Sequence, residues 1–281
     1  MSGGTTRLVV VFGGESAEHD VSCVTAAHVI AAADRSRYDI VGVGIARDGS
    51  WHLADTSAEA CAAGRLVANG PATTLADVIR QGSVVFPLLH GPLGEDGTIQ
   101  GMLELANVPF VGSGVLASAL CMDKSMAKQV LSAAGIPQPH FRAIHEPHFS
   151  DADADEIIAT IGLPMFVKPA NMGSSVGVRK AKDRASLLGA IRHAFVYDEW
   201  VVCEEAIVGR EIEVAVLGNV SPEASLPGEI VAGAEFYDYE DKYINASAQL
   251  LIPAVLDADE TRIVRELAVR IYSELRCEGM A

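Results

Sequence analysis

Positive charge is scarce in this chain: 21 Lys and Arg stand against 37 Asp and Glu, which leaves a formal net charge of −16. A field of that sign repels a polyanion, so nucleic acid is not expected among the partners, although a few lysines gathered in one cleft still dominate the potential locally. Cysteine is sparse and shows no paired spacing. Cys23, Cys61, Cys121, Cys203 and Cys277 lack any Cys-x-x-Cys arrangement and are odd in number. They read as reduced thiols of a cytoplasmic protein and not as a disulfide frame or a metal cluster. No apolar run reaches the length that crosses a bilayer, and the first residues lack the basic and apolar regions of a signal peptide. No membrane insertion is expected. Internal repeats and low-complexity tracts are absent. So are the P-loop spacing, Gly-x-x-x-x-Gly-Lys followed by Ser or Thr, and the dinucleotide fingerprint Gly-x-Gly-x-x-Gly. A nucleotide, if bound, is held some other way.

What is present is a globular composition, 49% hydrophobic and 21% charged over 281 residues, enough for two or three modules. Leu8 to Phe12 is a β-branched strand that ends at Gly13-Gly14 and runs into a helix through Ala33, the opening of a parallel α/β module. Glu18, in the turn between them, has two readings: it caps that helix, or it faces a ligand amine at the strand's carboxyl end. Tyr38 to Ala46 is a second strand, Trp51-His52 a short return, and Val84 to Leu89 a buried strand. After it comes His90-Gly-Pro-Leu-Gly-Glu-Asp-Gly-Thr-Ile-Gln-Gly101, a polar, glycine-shaped loop before a helix over Thr98 to Ala106. His90 either hydrogen-bonds backbone or reads a ligand. A long helix carrying Met122-Asp-Lys124-Ser-Met-Ala-Lys128 ends at Gly135, with Pro137 and Pro139 beyond it. A domain boundary is expected near residue 116.

The next module reads as a small antiparallel sheet backed by helices. Its centre is Phe166-Val-Lys-Pro-Ala-Asn-Met-Gly-Ser-Ser-Val-Gly-Val178, a strand that delivers Lys168 into a loop of Gly173, Ser174, Ser175 and Gly177. Such a loop either wraps an anion with backbone N–H groups and hydroxyls or is an ordinary glycine hairpin. Glu204, Glu205 and Glu211 follow, at the end of one strand and the start of the next, as surface charges or as acceptors for an adenine amine and ribose hydroxyls. Arg210 to Leu217 continues as strand. Phe236-Tyr-Asp-Tyr-Glu-Asp-Lys-Tyr243 has no regular period and suits a lid. Leu250 to Val255 reads as strand and Ala258 to Arg276 as an amphipathic helix.

These segments together resemble one family, the D-alanine–D-alanine ligases of the ATP-grasp superfamily. Gly13-Gly-Glu-Ser-Ala-Glu18-His-Asp-Val-Ser22 looks like the family's first loop, the His90 to Gly101 run fits its amino-terminal signature, Lys168 to Gly177 is similar to its phosphate-covering loop, and Phe236 to Tyr243 to its closing loop. The resemblance implies an α/β fold: an ATP-grasp fold preceded by an N-terminal parallel α/β domain, with domains at 1–116, 117–203 and 204–281. It implies ATP with magnesium (Mg2+) or manganese, and two molecules of D-alanine joined through an acyl phosphate to D-alanyl-D-alanine for peptidoglycan. Lys124 and Lys168 would lie on the α and β phosphates, Lys242 near the γ phosphate, and Ser174 and Ser175 over them. Glu204 would take the adenine amine and Glu211 the ribose. Glu18 would hold the first substrate's ammonium, His90 would lie near its carboxylate, and Ser174 with Tyr243 would join Glu18 to seal the lid. The Lys242-Tyr243 pair implies an amine as second nucleophile. D-Alanyl-D-serine, D-alanyl-D-lactate and a silent ATP-binding fragment are the alternatives, the last because the family's magnesium ligands are expected beyond Ala281. A homodimer in the cytoplasm is expected.

Overall fold

The computed structural model describes residues 5–231 and 248–281. The chain divides into two compact units, 1–119 and 120–281.

The first unit is built on β1 (Thr6–Gly13), followed by α1 (His19–Ala32), β2 (Tyr38–Ile45), β3 (Trp51–Ala54), the short helices α2 (Ala58–Ala62) and α3 (Leu75–Val78), β4 (Val84–Pro87) and α4 (Thr98–Leu105). The sheet order is β3-β2-β1-β4. β1 is parallel to both β2 and β4, and β3 is antiparallel to β2. Side chains alternate across a strand, and here both faces of β1 are covered, which is why it reads as one continuous apolar run. Val9 and Val11 pack with Val43, Val85, Ile99 and Leu103 on one face. Leu8, Val10 and Phe12 pack with Cys23, Ala26, Ala27 and Ile30 of α1 on the other. Each of the buried Val, Leu, Ile and Phe side chains contributes about 1.5–3 kcal/mol. Because β2 and β4 flank β1 on opposite sides, the carboxyl ends of β1 and β4 open a crevice at the point where the strand order reverses.

α5 (Val115–Met122) leads to α6 (Lys124–Ala133). The single long helix expected from the sequence is thus two. Asp123 breaks it: its backbone is extended and its carboxylate accepts from the N–H groups of Ser125 and Met126, an N-cap in mid-run. β5 (Phe141–His145), α7 (Asp153–Ile161), β6 (Met165–Pro169), β7 (Arg179–Ala181), α8 (Arg184–Ala194) and β8 (Trp200–Glu205) complete the central module, with a 3-10 turn at Glu146–His148. Its sheet, β5-β8-β6-β7, is antiparallel throughout. Met165 and Val167 of β6 and Val201 and Cys203 of β8 meet Ile157 of α7 and Leu187 and Ile191 of α8. By alternation Phe166 and Lys168, and Val202 and Glu204, take the opposite face.

Beyond this the strands are short: β9 (Glu211–Glu213), β10 (Val216–Leu217), β11 (Glu223–Ala224), β12 (Gly228–Val231) and β13 (Gln249–Leu251). The strand expected over Arg210 to Leu217 is two strands in different sheets, since β9 pairs with β12 and β10 with β11. The one expected to Val255 ends at Leu251, before Pro253, which cannot donate to a ladder. The final helix is α9 (Ala258–Glu274), started by a reciprocal cap between Asp257 and Glu260.

Candidate active site

In the first unit the crevice is tied together by hydroxyls. Ser22 accepts from Gly13 N at 2.7 Å and donates to the Leu88 carbonyl at 2.6 Å, which joins the end of β1 to the end of β4. Ser16 accepts from Glu18 N at 3.2 Å and donates to the His90 carbonyl at 2.7 Å. Ser22 was not singled out from the sequence, though it stands in the loop that was.

Glu18 occupies the N-cap position of α1, yet its side chain makes no capping hydrogen bond. It is buried, and it points at the second loop: a Cβ placed on Gly91 would fall 2.3 Å from its Oε2. Gly91 is therefore required twice, for that approach and for its φ of +73°. Gly91 N also donates to Glu95 at 2.9 Å. Burial lifts the Glu95 carboxyl above its usual range, the Gly91 bond opposes the shift, and the nearby charge of Glu18 adds to it. A carboxylate raised in part by a neighbouring carboxylate is relieved by a cation nearby. The His90 ring meets the Thr25 hydroxyl at 3.2 Å and stands 4.0 Å from Glu95, so its partners are side chains and not backbone. Beside these loops lies a cavity of about 180 Å³, walled by Trp51, Leu89, Leu93, Ile99 and Met102.

In the second unit, register puts Glu204 opposite Phe166 on one side and Phe141 on the other. Lys168, one diagonal step away, reaches Glu204 Oε1 at 2.6 Å. Lys128 of α6 reaches Oε2 at 2.6 Å and lies over the Phe141 ring. Burial alone would raise the Glu204 carboxyl, but Lys168 and Lys128 together overcome it and hold the group below its usual range. Lys124, one helical turn before Lys128, donates to the carbonyls of Met172 at 2.6 Å and Ala170 at 3.3 Å. Its pKa is lowered to about 8, chiefly by burial and then by the charge of Lys168. Two ammonium groups thus share one carboxylate, and a third, that of Lys124, lies within its field. Lys128 was missed as a site residue; its signal was the four-residue spacing from Lys124, which puts both on one helix face.

The loop that follows Lys168 is anchored at its base, where Asp198 accepts from Asn171 N at 2.7 Å and from its amide at 3.1 Å. Ser174 and Ser175 both have positive φ, 48° and 60°. Two consecutive side-chain-bearing residues in that region are strained, and such strain gathers at ligand clamps. Glu211 is exposed on β9, and no described contact joins it to the lysine set. Lys242 and Tyr243 lie outside the described residues.

These features suit an anion in one unit and an ammonium in the other. Comparison with known proteins gives the same direction. Residues 7–113 match the family described as D-ala D-ala ligase N-terminus and residues 130–281 that described as D-ala D-ala ligase C-terminus. The D-alanine–D-alanine ligase A of Chromobacterium violaceum is 42% identical over 99% of this chain and 81% of its own length. The D-alanine–D-alanine ligase of Caldicellulosiruptor bescii is 43% identical over 98% and 80%. Among solved structures, the VanG D-Ala:D-Ser ligase from Enterococcus faecalis superposes with a TM-score of 0.84 at 34% identity, covering 99% of this chain and 84% of that one. The D-alanine–D-alanine ligase from Coxiella burnetii gives 0.81 at 31%, over 99% and 80%.

Proposed function

The chain belongs to the D-alanine–D-alanine ligase family, with the ATP-grasp architecture of its solved relatives, and we infer from that premise that it joins two D-alanine molecules, using ATP, for peptidoglycan precursor synthesis. A carboxylate is a poor electrophile at neutral pH, so the first D-alanine's carboxylate is phosphorylated to an acyl phosphate, and the second D-alanine's amine then displaces phosphate. The observation that carries the reading is the lysine set: Lys128 and Lys168 share one buried carboxylate, Glu204, and Lys124 donates to backbone carbonyls of the strained serine loop's approach beside them.

In this reading Lys124 and Lys168 take the α and β phosphates, and Ser174 and Ser175 add donors. Charge held in place beforehand stabilises the phosphoryl group in flight without reorganising. Lys128 keeps Glu204 in place once Lys168 turns toward phosphate, and Glu204 accepts the adenine amine, with Glu211 on the ribose. Glu18, helped by Glu95, receives the first substrate's ammonium, and His90 lies by its carboxylate. Lys242 on the γ phosphate and Tyr243 as the lid's contact to Glu18 and Ser174 complete the proposal. The family works with a divalent metal in general; among the described residues no group of three His, Cys, Asp or Glu side chains could hold one. The second substrate's identity is part of the same proposal, since one structural relative is a D-Ala:D-Ser ligase. No described helix is long and apolar enough to cross a membrane, and the five cysteines are free thiols, which fits work in the reducing cytoplasm where ATP is made. A homodimer belongs to the proposal and is read by light scattering.

The test is product analysis with ATP, magnesium and D-alanine, alone and in competition with D-serine or D-lactate near neutral pH. D-Alanyl-D-alanine as the main product is expected. A depsipeptide or a D-serine product in excess, or ATP use indifferent to D-alanine, overturns it.

A further inference from the structure

Cys121 and Cys277 are 156 residues apart in sequence, yet their sulfur atoms stand 3.6 Å apart. Cys121 lies in the last turn of α5 and is exposed, whereas Cys277 follows α9 and is buried. The meeting is set by packing. Leu120, Val130 and Leu131 lie against Tyr272, Leu275 and Cys277, and a left-handed Arg276 (φ 57°) turns the chain so that Cys277 N donates to the Tyr272 carbonyl at 2.9 Å. The Tyr272 phenol fixes that end further by donating to the Gly218 carbonyl at 2.7 Å. A disulfide needs its sulfurs about 2.05 Å apart, so roughly 1.5 Å of approach remains, within the reach of side-chain rotation.

We propose that Cys121 and Cys277 are a modification site, a thiol pair that a peroxide-class oxidant converts to an intramolecular disulfide stapling α5 to the chain beyond α9. Cys121, the solvent-exposed residue of the pair, attacks the peroxide through its sulfur and breaks the O–O bond, which yields a sulfenic acid and one water that carries off the thiol proton. The Cys277 sulfur then displaces the sulfenic hydroxyl, forming the S–S bond and releasing a second water with the second proton. Two thiols lose two electrons and one peroxide gains them. The hydrogen bond to Cys277 and then burial hold the Cys121 thiol well above its usual range, so little thiolate exists at neutral pH and the pair answers sustained oxidant, not a brief pulse. The closed loop spans most of the second unit, and a loop of that length removes much freedom from the unfolded chain.

The experiment treats the purified full chain with hydrogen peroxide under native conditions, alkylates remaining thiols and maps peptides without reduction. Expected are a peptide pair joined through Cys121 and Cys277, its loss on adding dithiothreitol, and a thermal midpoint at least about 5 °C higher in the oxidised form. Cys121→Ser removes both effects, and Cys277→Ala does the same from the buried side, while Cys23, Cys61 and Cys203 stay alkylatable after unfolding. Full alkylation of Cys121 and Cys277 after oxidation, or a disulfide only between molecules, overturns the site. A joined peptide with an unchanged midpoint overturns the staple.

Discussion

In the first unit the loops around Glu18 and His90 are held by neutral bonds from Ser16 and Ser22 to backbone, and the serines lie within a few residues of the groups they position. In the second unit Lys124, Lys128, Lys168 and Glu204 come from one helix and two strands; Lys128 and Lys168 are held by ion pairs to Glu204, and Lys124 by its ammonium on two backbone carbonyls. The difference separates two ways of preparing a site. Hydroxyl-to-carbonyl bonds are satisfied before any ligand arrives and do not titrate. In the lysine set two ammonium groups share one carboxylate, and in the proposed reading an anion completes the balance.

The largest effect should come from removing the centre of the charged site. Glu204→Ala leaves Lys128 and Lys168 facing each other partly buried, and should cost about 3 kcal/mol of stability in chemical denaturation. Glu18→Gln, its counterpart in the neutral site, should stay within about 1 kcal/mol of the parent while weakening D-alanine binding. Equal stability losses in the two would erase the distinction between the units. Lys168→Ala comes next: it removes the proposed phosphate contact, worth about 1.5–3 kcal/mol, so nucleotide affinity should fall at least about ten-fold, with little change in melting because Lys128 still holds Glu204. Normal nucleotide binding with early melting would make Lys168 structural.

Gly91→Ala sharpens the comparison from the other side. It forces a side chain into a left-handed backbone, at about 1–2 kcal/mol, and into Glu18 Oε2. The KM for the first D-alanine should rise several-fold while nucleotide affinity holds; a fall in nucleotide affinity alone would contradict the assignment of Glu18. The smallest effect concerns protons. Lys124 titrates near 8 in the folded protein against an ordinary 10.5. Between those values the unfolded chain carries a proton that the folded one lacks, so this group adds stability as pH rises through the window. Phosphate binding restores its charge, so calorimetry in buffers of different ionisation enthalpy should show proton uptake on nucleotide binding above pH 8. No uptake would mean that Lys124 does not meet phosphate.

The neutral site was the more legible in sequence. β1 announces itself as an unbroken apolar run because both its faces are buried, and the Glu18 and His90 loops are contiguous segments whose glycines mark the turns. The charged site was legible only residue by residue. Lys168 and Glu204 lie 36 positions apart, and nothing local shows that they pair or that Lys128 completes the group. The break at Asp123 was hidden for a related reason: an aspartate among good helix formers reads the same inside a helix as at a cap until the backbone is seen. The contact of Cys121 with Cys277 is longer in range still, set by packing between α5, α6 and α9 that no periodicity reports.

In the proposed reading both sites serve one chemical event, the transfer of phosphate to a D-alanine carboxylate. D-Alanine carrying a heavy oxygen isotope in its carboxylate tests that event directly by mass spectrometry of the released phosphate. Labelled phosphate, one heavy oxygen for each dipeptide formed, is the expected result, because the acyl phosphate's bridging oxygen leaves with phosphorus. Unlabelled phosphate accompanying dipeptide formation would show that the carboxylate was never phosphorylated and would contradict the assignment of the charged site to that step.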